Sequence, residues 1–299
     1  MAGMKEIRTR IKSVESTLKI TNAMYLISSA SLRKMRKQLH AVEPYFSKIA
    51  FTISDILQHS PSIDHPFFSP DRRKNVTKDA SEAPKVAYVV ITGDKGLAGS
   101  YNHNVLRLLE QQLADQSQPC VFPIGHMGRG FCTSHGLAID PEFFFTAQDP
   151  NLHRARSISR HLLSLYLQGD VDEIHLIYTR MISPLVLQPT LQKLLPLEKT
   201  LFPYTPRCEE RFPRTVEYVP SEHEVLDQLV PSYLTGMIFG ALVESYCSEQ
   251  SARMMAMDAS TKNAKDMLKS LSLSYNRARQ SAITQEITEV VGGAKAGRF

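Results

Sequence analysis

The stretch EQSARMMAMDASTKNAKDMLKSLSLSYNRARQSAITQEITEVVGGA, residues 249–294, decides the fold of this chain. It contains no proline, and its first glycine is Gly292. Apolar or small residues recur along it and just before it in steps of three and four or their sums, a spacing typical of a coiled-coil seam. The seam positions are Val243, Tyr246, Met257, Ala264, Leu268, Leu271, Tyr275, Ala278 and Ala282. The pattern predicts a helix of roughly 60–70 residues and on the order of 100 Å, which we expect to project and to need a partner for its seam.

A second seam of the same spacing runs through the first fifty-odd residues, and it supplies that partner. Thr21 and Ser28 occupy the two seam positions that lack an apolar residue. The apolar positions are Ile7, Ile11, Val14, Leu18, Tyr25, Leu32, Met35, Leu39, Val42, Phe46, Ile49, Ile53 and Ile56. A seam sustained over about seven heptads predicts that the two terminal helices pair antiparallel in a left-handed supercoil. Pro44 lies inside the first helix and predicts a kink or a join there.

Between the two helices the composition changes twice, which predicts four segments. Residues 1–57 form the N-terminal coiled-coil helix, and residues 58–84, rich in Pro, Ser, Asp and Lys, form a linker or loop. Residues 85–220 form an α/β globular domain, and residues 221–299 form the C-terminal coiled-coil helix. Because Pro231 lies near the start of this last segment, we expect its regular helix to begin after that residue.

Strand patterns alternate with helix patterns in the central segment, which predicts an α/β layer with a mostly parallel sheet. The fold class is therefore α/β plus a long antiparallel coiled coil. The predicted strands are residues 86–92, 120–124, 143–146 (weak) and 173–179; the predicted helices are 104–116, 127–135 and 158–167; and 188–197 and 215–220 are predicted to be extended.

Composition and charge limit the possible functions. No apolar run is long enough to span a bilayer, and no signal peptide is visible, so we expect membrane association only through partners. The net charge of +5 is uneven, because residues 1–50 alone carry ten Lys/Arg against three Glu. The four cysteines have no C-x-x-C spacing, which favours free thiols over a zinc site or a disulfide framework.

The loop GDKGLAGS, residues 93–100, follows a predicted strand and precedes a predicted helix, as phosphate-binding loops do. It has neither the P-loop spacing nor a G-x-G-x-x-G fingerprint, so its glycines are predicted to serve turns and close packing. The ten histidines show no metal-ligand spacing, and no catalytic signature occurs. We therefore expect a Rossmann-like domain without a ligand, and a chain without a catalytic site, cofactor or metal.

Basic residues cluster at Arg33, Lys34, Arg36 and Lys37. Three interpretations stay open from the residues alone: a solvated helix face, a nucleic-acid tract, or an electrostatic track for an acidic protein partner. Small and hydroxylic residues are dense at residues 28–31 and 251–260, where they favour close helix packing and, on the outside, a smooth surface. A coiled-coil nucleic-acid binder and an α/β enzyme with helical dimerisation arms are the competing functional classes. The near-neutral C-terminal helix and the missing phosphate fingerprint disfavour them, respectively.

Three runs resemble the gamma subunit family of F-type ATP synthases: IKSVESTLKITNAM (residues 11–24), ITGDKGLAGSYN (91–102) and SYNRARQSAITQEITEVVGGA (274–294). The resemblance covers nearly the whole chain. It implies a central-stalk rotor shaft that transmits torque between an ion-driven membrane ring and a catalytic alpha/beta hexamer. The implied partners are the alpha, beta and epsilon subunits and the c-ring, with no nucleic acid and no direct membrane insertion. The implied location is the cytoplasmic face of the inner membrane, as a peripheral subunit.

The resemblance also places partner-contact residues one by one. It implies contacts of the surrounding hexamer with Met24, Glu249, Gln250, Arg253, Arg279, Gln280 and Thr284, and an apolar tip that includes Ile283, Ile287, Val290 and Val291. It favours the partner interpretation of Arg33, Lys34 and Arg36. Beside Met24 this chain departs from the family pattern at Asn22, Tyr25, Leu26 and Ser31, which affects the detail of the N-terminal contacts.

Overall fold

The fold comes from a computed structural model, which describes residues 2–60, 62–68, 84–114, 119–203 and 218–296. Along the sequence, a small α/β domain lies between two very long helices. The elements are α1 (Ala2–His59), β1 (Val86–Ile91), α2 (Tyr101–Leu113), β2 (Cys120–Ile124), α3 (His126–Ser134), α4 (Leu152–Gln168), β3 (Glu173–Met181), β4 (Leu187–Leu195), a 3-10 turn (Lys199–Leu201) and α5 (Glu222–Ala296).

The described chain forms two compact units, and their limits cut both long helices rather than falling at helix ends. The first unit contains residues 1–30 and 253–299. In it α1 and α5 pack along their seams, and Thr21 Oγ1 lies 2.9 Å from Thr261 Oγ1. Met257 and Ala264 are buried on α5, as Ser28 is on α1. The seam positions that lacked an apolar residue are therefore inside the helix pair, as predicted.

The second unit contains residues 31–252, and there too α1 packs on α5. Gly236 lies under the ring of Phe46, so close that a Cβ on the glycine would fall 2.3 Å from Cδ1 of the ring. Within each unit, α1 thus packs on α5, and the predicted fold class is confirmed.

The sheet of the second unit has four strands in the order β2-β1-β3-β4. The pairs of β1 with β2 and β3 are parallel, and β4 is antiparallel to β3, so the sheet is mixed. Strand β1 is buried along its whole length. Its side chains alternate: Tyr88 and Val90 pack with α2 and α3, whereas Val89 and Ile91 pack with α4, α5 and the end of α1.

Helix α5 begins at Glu222, nine residues before Pro231, so the expected start after that proline was wrong. Ser221 supplies an N-cap, because its hydroxyl accepts the Glu224 N–H at 3.3 Å, and Ser-x-x-Glu is the capping-box pattern. Leu226 and Val230 are buried before the proline, at helical spacing. Their burial contributes about 1.5–3 kcal/mol each and offsets the roughly 3 kcal/mol that an internal proline costs. Likewise α1 is a single helix through Pro44, which marks no join.

Two other expectations need correction. Residues 143–146 form no strand, because only Phe145 makes an isolated bridge, to Ile124. Part of the predicted linker is packed into the core: Phe67 and Phe68 are buried, and the Phe67 carbonyl accepts the Leu197 N–H at 2.7 Å. Residues 69–83 of the linker and 215–217 of the predicted extended segment lie outside the described residues. The limits of the four predicted segments stay a prediction.

Candidate partner-contact surface

Eleven of the partner-contact residues that the family resemblance implied fall into three groups. On α1, Met24 is half-buried and Arg33, Lys34 and Arg36 are exposed. On the last third of α5 the remaining surface residues are exposed: Arg279, Gln280, Thr284 and Ile287. Glu249, Gln250 and Arg253, between 4% and 8% exposed, are instead buried within the chain. The structure therefore does not gather all eleven residues on one free surface.

The exposed C-terminal part of α5 has one covered stripe. Along the described residues 265–291 no side chain is fully buried, and the seam residues Leu268, Leu271, Tyr275, Ala278 and Ala282 are half-buried. All other faces are open, including that of Arg279, which forms no ion pair with any residue that the structure describes. Large apolar side chains also face solvent: Ile283, Ile287, Val290 and Val291, with exposed fractions of 44–72%. Contiguous exposed apolar residues mark a surface that another molecule covers.

The basic cluster of α1 is only partly free. Arg36 donates through Nη2 to the thioether sulfur of Met181, at 2.7 Å, and is thereby held against the end of β3. Arg33 and Lys34 are exposed and have no carboxylate partner among the described residues. These two side chains and that of Lys37, which is also exposed, are available to attract an acidic partner.

Glu249 is buried, and its carboxylate lies beside the loop that follows β1. A Cβ added to Gly93 would lie 3.0 Å from both Cδ and Oε1 of Glu249, so only glycine fits there without movement. The Gly93 N–H donates to Asn102 Oδ1 at 2.7 Å, which holds the loop in place. The predicted role of these glycines in close packing is thus observed at Gly93, and the carboxylate of Glu249 has little surface left for a second protein.

Sequence reasoning missed three buried serines of α5 that form hydrogen bonds to the α/β domain: Ser245, Ser248 and Ser251. They recur every third residue, so they lie near one another on the helix surface. Of the three, only Ser251 was among the small residues that the sequence analysis interpreted as close packing. The partners of all three serines are distant in the sequence, so the spacing alone did not identify them.

Two buried cysteines have thiols of low reactivity. Burial raises the pKa of the Cys132 and Cys247 thiols to about 11, so both are protonated and weakly nucleophilic at neutral pH. These two and Cys120 are free, as predicted, and Cys208 lies outside the described residues. Within the part of the chain that the structure describes, no cluster of three His, Cys, Asp or Glu side chains has a geometry that could hold a metal ion. The expected lack of cofactor and metal stays a prediction.

One helix is long and apolar enough to cross a membrane by length and composition alone. It is α5, in which a window of 18 residues reaches a mean hydropathy of 1.2. Of that window, 44% is buried inside the protein. Core helices meet the same criterion, and the burial of Leu234, Ile238 and Leu242 accounts for these apolar residues without a bilayer.

Known proteins match this chain over nearly its whole length. A family model described as ATP synthase matches residues 3–296. The ATP synthase gamma chain of Ruminiclostridium cellulolyticum is 43% identical over 296 residues, which are 98% of each chain. A gamma chain from Acetobacterium woodii, described as sodium ion specific, is 36% identical over 308 residues, again 98% of each chain.

Solved structures share the fold at low sequence identity. A chain in the OSCP/F1/c-ring part of the Euglena gracilis mitochondrial ATP synthase aligns with a TM-score of 0.64 and 14% identity, over 99% of this chain and 94% of that chain. A chain in the central stalk and c-ring of the Tetrahymena thermophila mitochondrial enzyme aligns with a TM-score of 0.56 and 21% identity, over 80% and 98%. At these identities the likeness concerns the fold alone.

Proposed function

We propose that this chain, which belongs to the ATP synthase gamma-chain family, is the central-stalk rotor shaft of an F-type ATP synthase. The family match over residues 3–296 confirms the resemblance drawn from the three sequence runs. The shaft transmits torque between the ion-driven c-ring in the membrane and the catalytic alpha/beta hexamer. It thereby couples ion flow to ATP synthesis or hydrolysis.

The observation that carries this proposal is the incomplete burial of α5. Along residues 265–291 the helix uses one seam to pack on α1 and leaves its other faces free. Charged side chains such as Arg279 and apolar ones such as Ile287 are both presented to solvent there. A surface of this kind fits a partner that surrounds the helix pair.

Coupling requires that the partner conformations differ in their contact with the shaft. A subunit that closes on nucleotide meets one face of the helix pair, and an open one meets another, so the angle of the shaft changes the nucleotide affinity of each subunit. The exposed Arg33 and Lys34 lie in a segment with a net charge of +7 over residues 1–50, which suits acidic loops of the hexamer. This chain supplies contacts, and the alpha and beta subunits supply the nucleotide chemistry.

The finer parts of the proposal follow from the family. The α/β domain sits at the foot of the shaft, on the c-ring and against the epsilon subunit. The chain carries no catalytic site and binds no nucleic acid. It is peripheral, at the cytoplasmic face of the inner membrane, and inserts no segment into the bilayer. Recovery of alpha and beta subunits in fixed stoichiometry with this chain from solubilised membranes separates the shaft from a nucleic-acid binder and from an independent enzyme.

The charge reversal Arg279→Glu tests the contact surface. We expect a decrease of roughly threefold or more in coupled ATP turnover, because an exposed attraction of up to about 1 kcal/mol becomes a repulsion. The measurement is ATP hydrolysis by complexes with equal recovery of alpha and beta subunits, together with the circular dichroism of the isolated chain. Arg277→Glu is the matched control, since residue 277 is also exposed and lies about 200° around the helix from Arg279. Full turnover in the Arg279 variant would refute the contact role of this residue.

A further inference from the structure

The carboxyl ends of β1 and β3 lie side by side, at the point where the order of the strands reverses. The connection from β1 leads to β2 on one side, whereas β3 pairs on the other side. In open α/β sheets a crevice at this switch point is the usual place for a ligand. Here α5 of the same chain contacts residues close to the switch point.

Three hydroxyl groups of α5 make these contacts. Ser245 Oγ lies 2.7 Å from Tyr101 Oη, at the start of α2. Ser248 Oγ donates to the Thr179 carbonyl oxygen, near the end of β3, at 3.1 Å. Ser251 Oγ donates to the Pro184 carbonyl oxygen, in the turn after β3, at 2.7 Å. The three bonds therefore tie consecutive turns of α5 to three different parts of the α/β domain.

Glu249 adds a contact of another kind on the same stretch of helix. Its carboxylate lies beside Gly93, directly after β1, where a Cβ added to that residue would be only 3.0 Å from Cδ and Oε1 and would force the carboxylate to shift. Asn102, from the first turn of α2, accepts the Gly93 N–H and so orients the loop around the carboxylate. All the groups involved in these contacts belong to one compact unit, residues 31–252.

Buried polar contacts restrict a helix more than apolar contacts do. Apolar side chains pack in several rotational settings of similar energy, since the hydrophobic effect has no direction. A buried hydroxyl loses its partner as soon as the helix turns or slides, and an unpaired buried polar group is costly. In some coiled coils, a single buried polar pair sets the register of the helices.

We propose that Ser245, Ser248, Ser251 and Glu249 form a clamp that fixes the rotational setting of α5 on the α/β domain. Torque applied to the exposed part of α5 then reaches the α/β domain instead of turning the helix within its own core. The four residues are positioning residues of the shaft, and this role rests on the proposed rotor function. For Glu249, this role inside the chain replaces the contact with the hexamer that the family resemblance implied.

The test is a triple variant, Ser245→Ala, Ser248→Ala and Ser251→Ala, which removes three hydroxyls without adding bulk. The matched control is the triple variant Ser47→Ala, Ser134→Ala and Ser164→Ala, at exposed positions of the same compact unit and outside the proposed contact surface. Amide hydrogen exchange of residues 245–252 is measured in the full chain. The ratio of ion pumping to ATP hydrolysis is measured in assembled complexes.

We expect exchange in the clamp variant to be about tenfold faster, because local opening no longer breaks these bonds. We expect its pumping-to-hydrolysis ratio to fall by about half or more, as the helix slips under load, and the control to match the native chain. Faster exchange with an unchanged ratio would overturn the clamp and leave the rotor function intact. Failure of the native chain itself to assemble with alpha and beta subunits would overturn the rotor function, and the clamp with it.

A pair of substitutions tests the clamp if the triple variant does not fold. Gly93→Ala places a methyl group 3.0 Å from the Glu249 carboxyl carbon and should lower the pumping-to-hydrolysis ratio. Adding Glu249→Ala removes the crowding. We therefore expect the double variant to lower the pumping-to-hydrolysis ratio by less than the sum of the two single decreases. Strict additivity would show that Glu249 acts elsewhere, as in a direct contact with the hexamer, and would overturn its place in the clamp.

Discussion

The two ends of helix α5 have similar apolar content but different environments. In residues 226–252 the chain covers the helix on several faces, burying Leu226, Leu234, Ile238 and Leu242. In residues 265–291 it covers only the seam, and Leu273 and Val290 are 55% and 72% exposed. The first part is completed by its own α/β domain. We expect another protein to cover the exposed apolar residues of the second part.

A core truncation should show this difference most strongly. Leu242→Ala removes a buried side chain and should lower the free energy of unfolding by about 2–5 kcal/mol. Leu273→Ala, the same change in the exposed part, should alter it by no more than about 0.5 kcal/mol. Urea unfolding followed by circular dichroism measures both. Equal effects would mean that the chain alone already buries the second part of α5.

Two glycines of α5, four residues apart, sharpen the comparison within the buried part. Gly236→Ala would place a Cβ 2.3 Å from the Phe46 ring, so we expect a loss of about 1–3 kcal/mol. A Cβ on Gly240 meets no atom within 4 Å, and Gly240→Ala should stabilise the helix by about 0.5–1 kcal/mol. Thermal unfolding of the two variants shows directly whether each substitution lowers or raises the stability. Adding Phe46→Leu to Gly236→Ala should recover part of the loss, which would not occur if the glycine served only backbone flexibility.

Acid should weaken the α/β part and spare the helix pair of residues 1–30 and 253–299, which contains no histidine. Burial lowers the pKa of His65 below 6.5, against the opposing effect of Asp227, whose Oδ1 lies 3.3 Å from Nε2. The nearby ring of His223, at 4.9 Å between centroids, also lowers this pKa. The unfolded chain therefore binds a proton at His65 more readily than the folded chain does. As a result, the free energy of unfolding falls as the pH drops below about 6.5.

The variant His65→Gln isolates this contribution. The side-chain amide can accept the Phe67 N–H, which Nδ1 of His65 faces at 3.3 Å, without taking up a proton. We expect a smaller difference between the urea midpoints at pH 7.5 and pH 5.5 than in the native chain. His153→Gln, at an exposed position, is the control and should keep the native difference. An unchanged difference in the His65 variant would assign the acid sensitivity to other groups.

The periodic elements were predictable and the long-range contacts were not. Strand 120–124 and the helix seams follow from local spacing, because burial repeats with the period of the element. The early start of α5 was missed although Ser221 and Glu224 form a recognisable capping box. The burial of Glu249 could not be predicted, since its cause is the approach of Gly93, far away in the chain.

By itself, the order of residues determined the two terminal helices, their antiparallel seam, the alternating α/β segment and the family, because periodicity and local motifs are properties of neighbouring residues. Only the tertiary structure decided which faces of α5 remain free and which polar residues became internal. That decision depends on how elements distant in the chain exclude water from one another. For this reason Arg279 remains a candidate for partner contact, while Glu249 is now assigned to the interior.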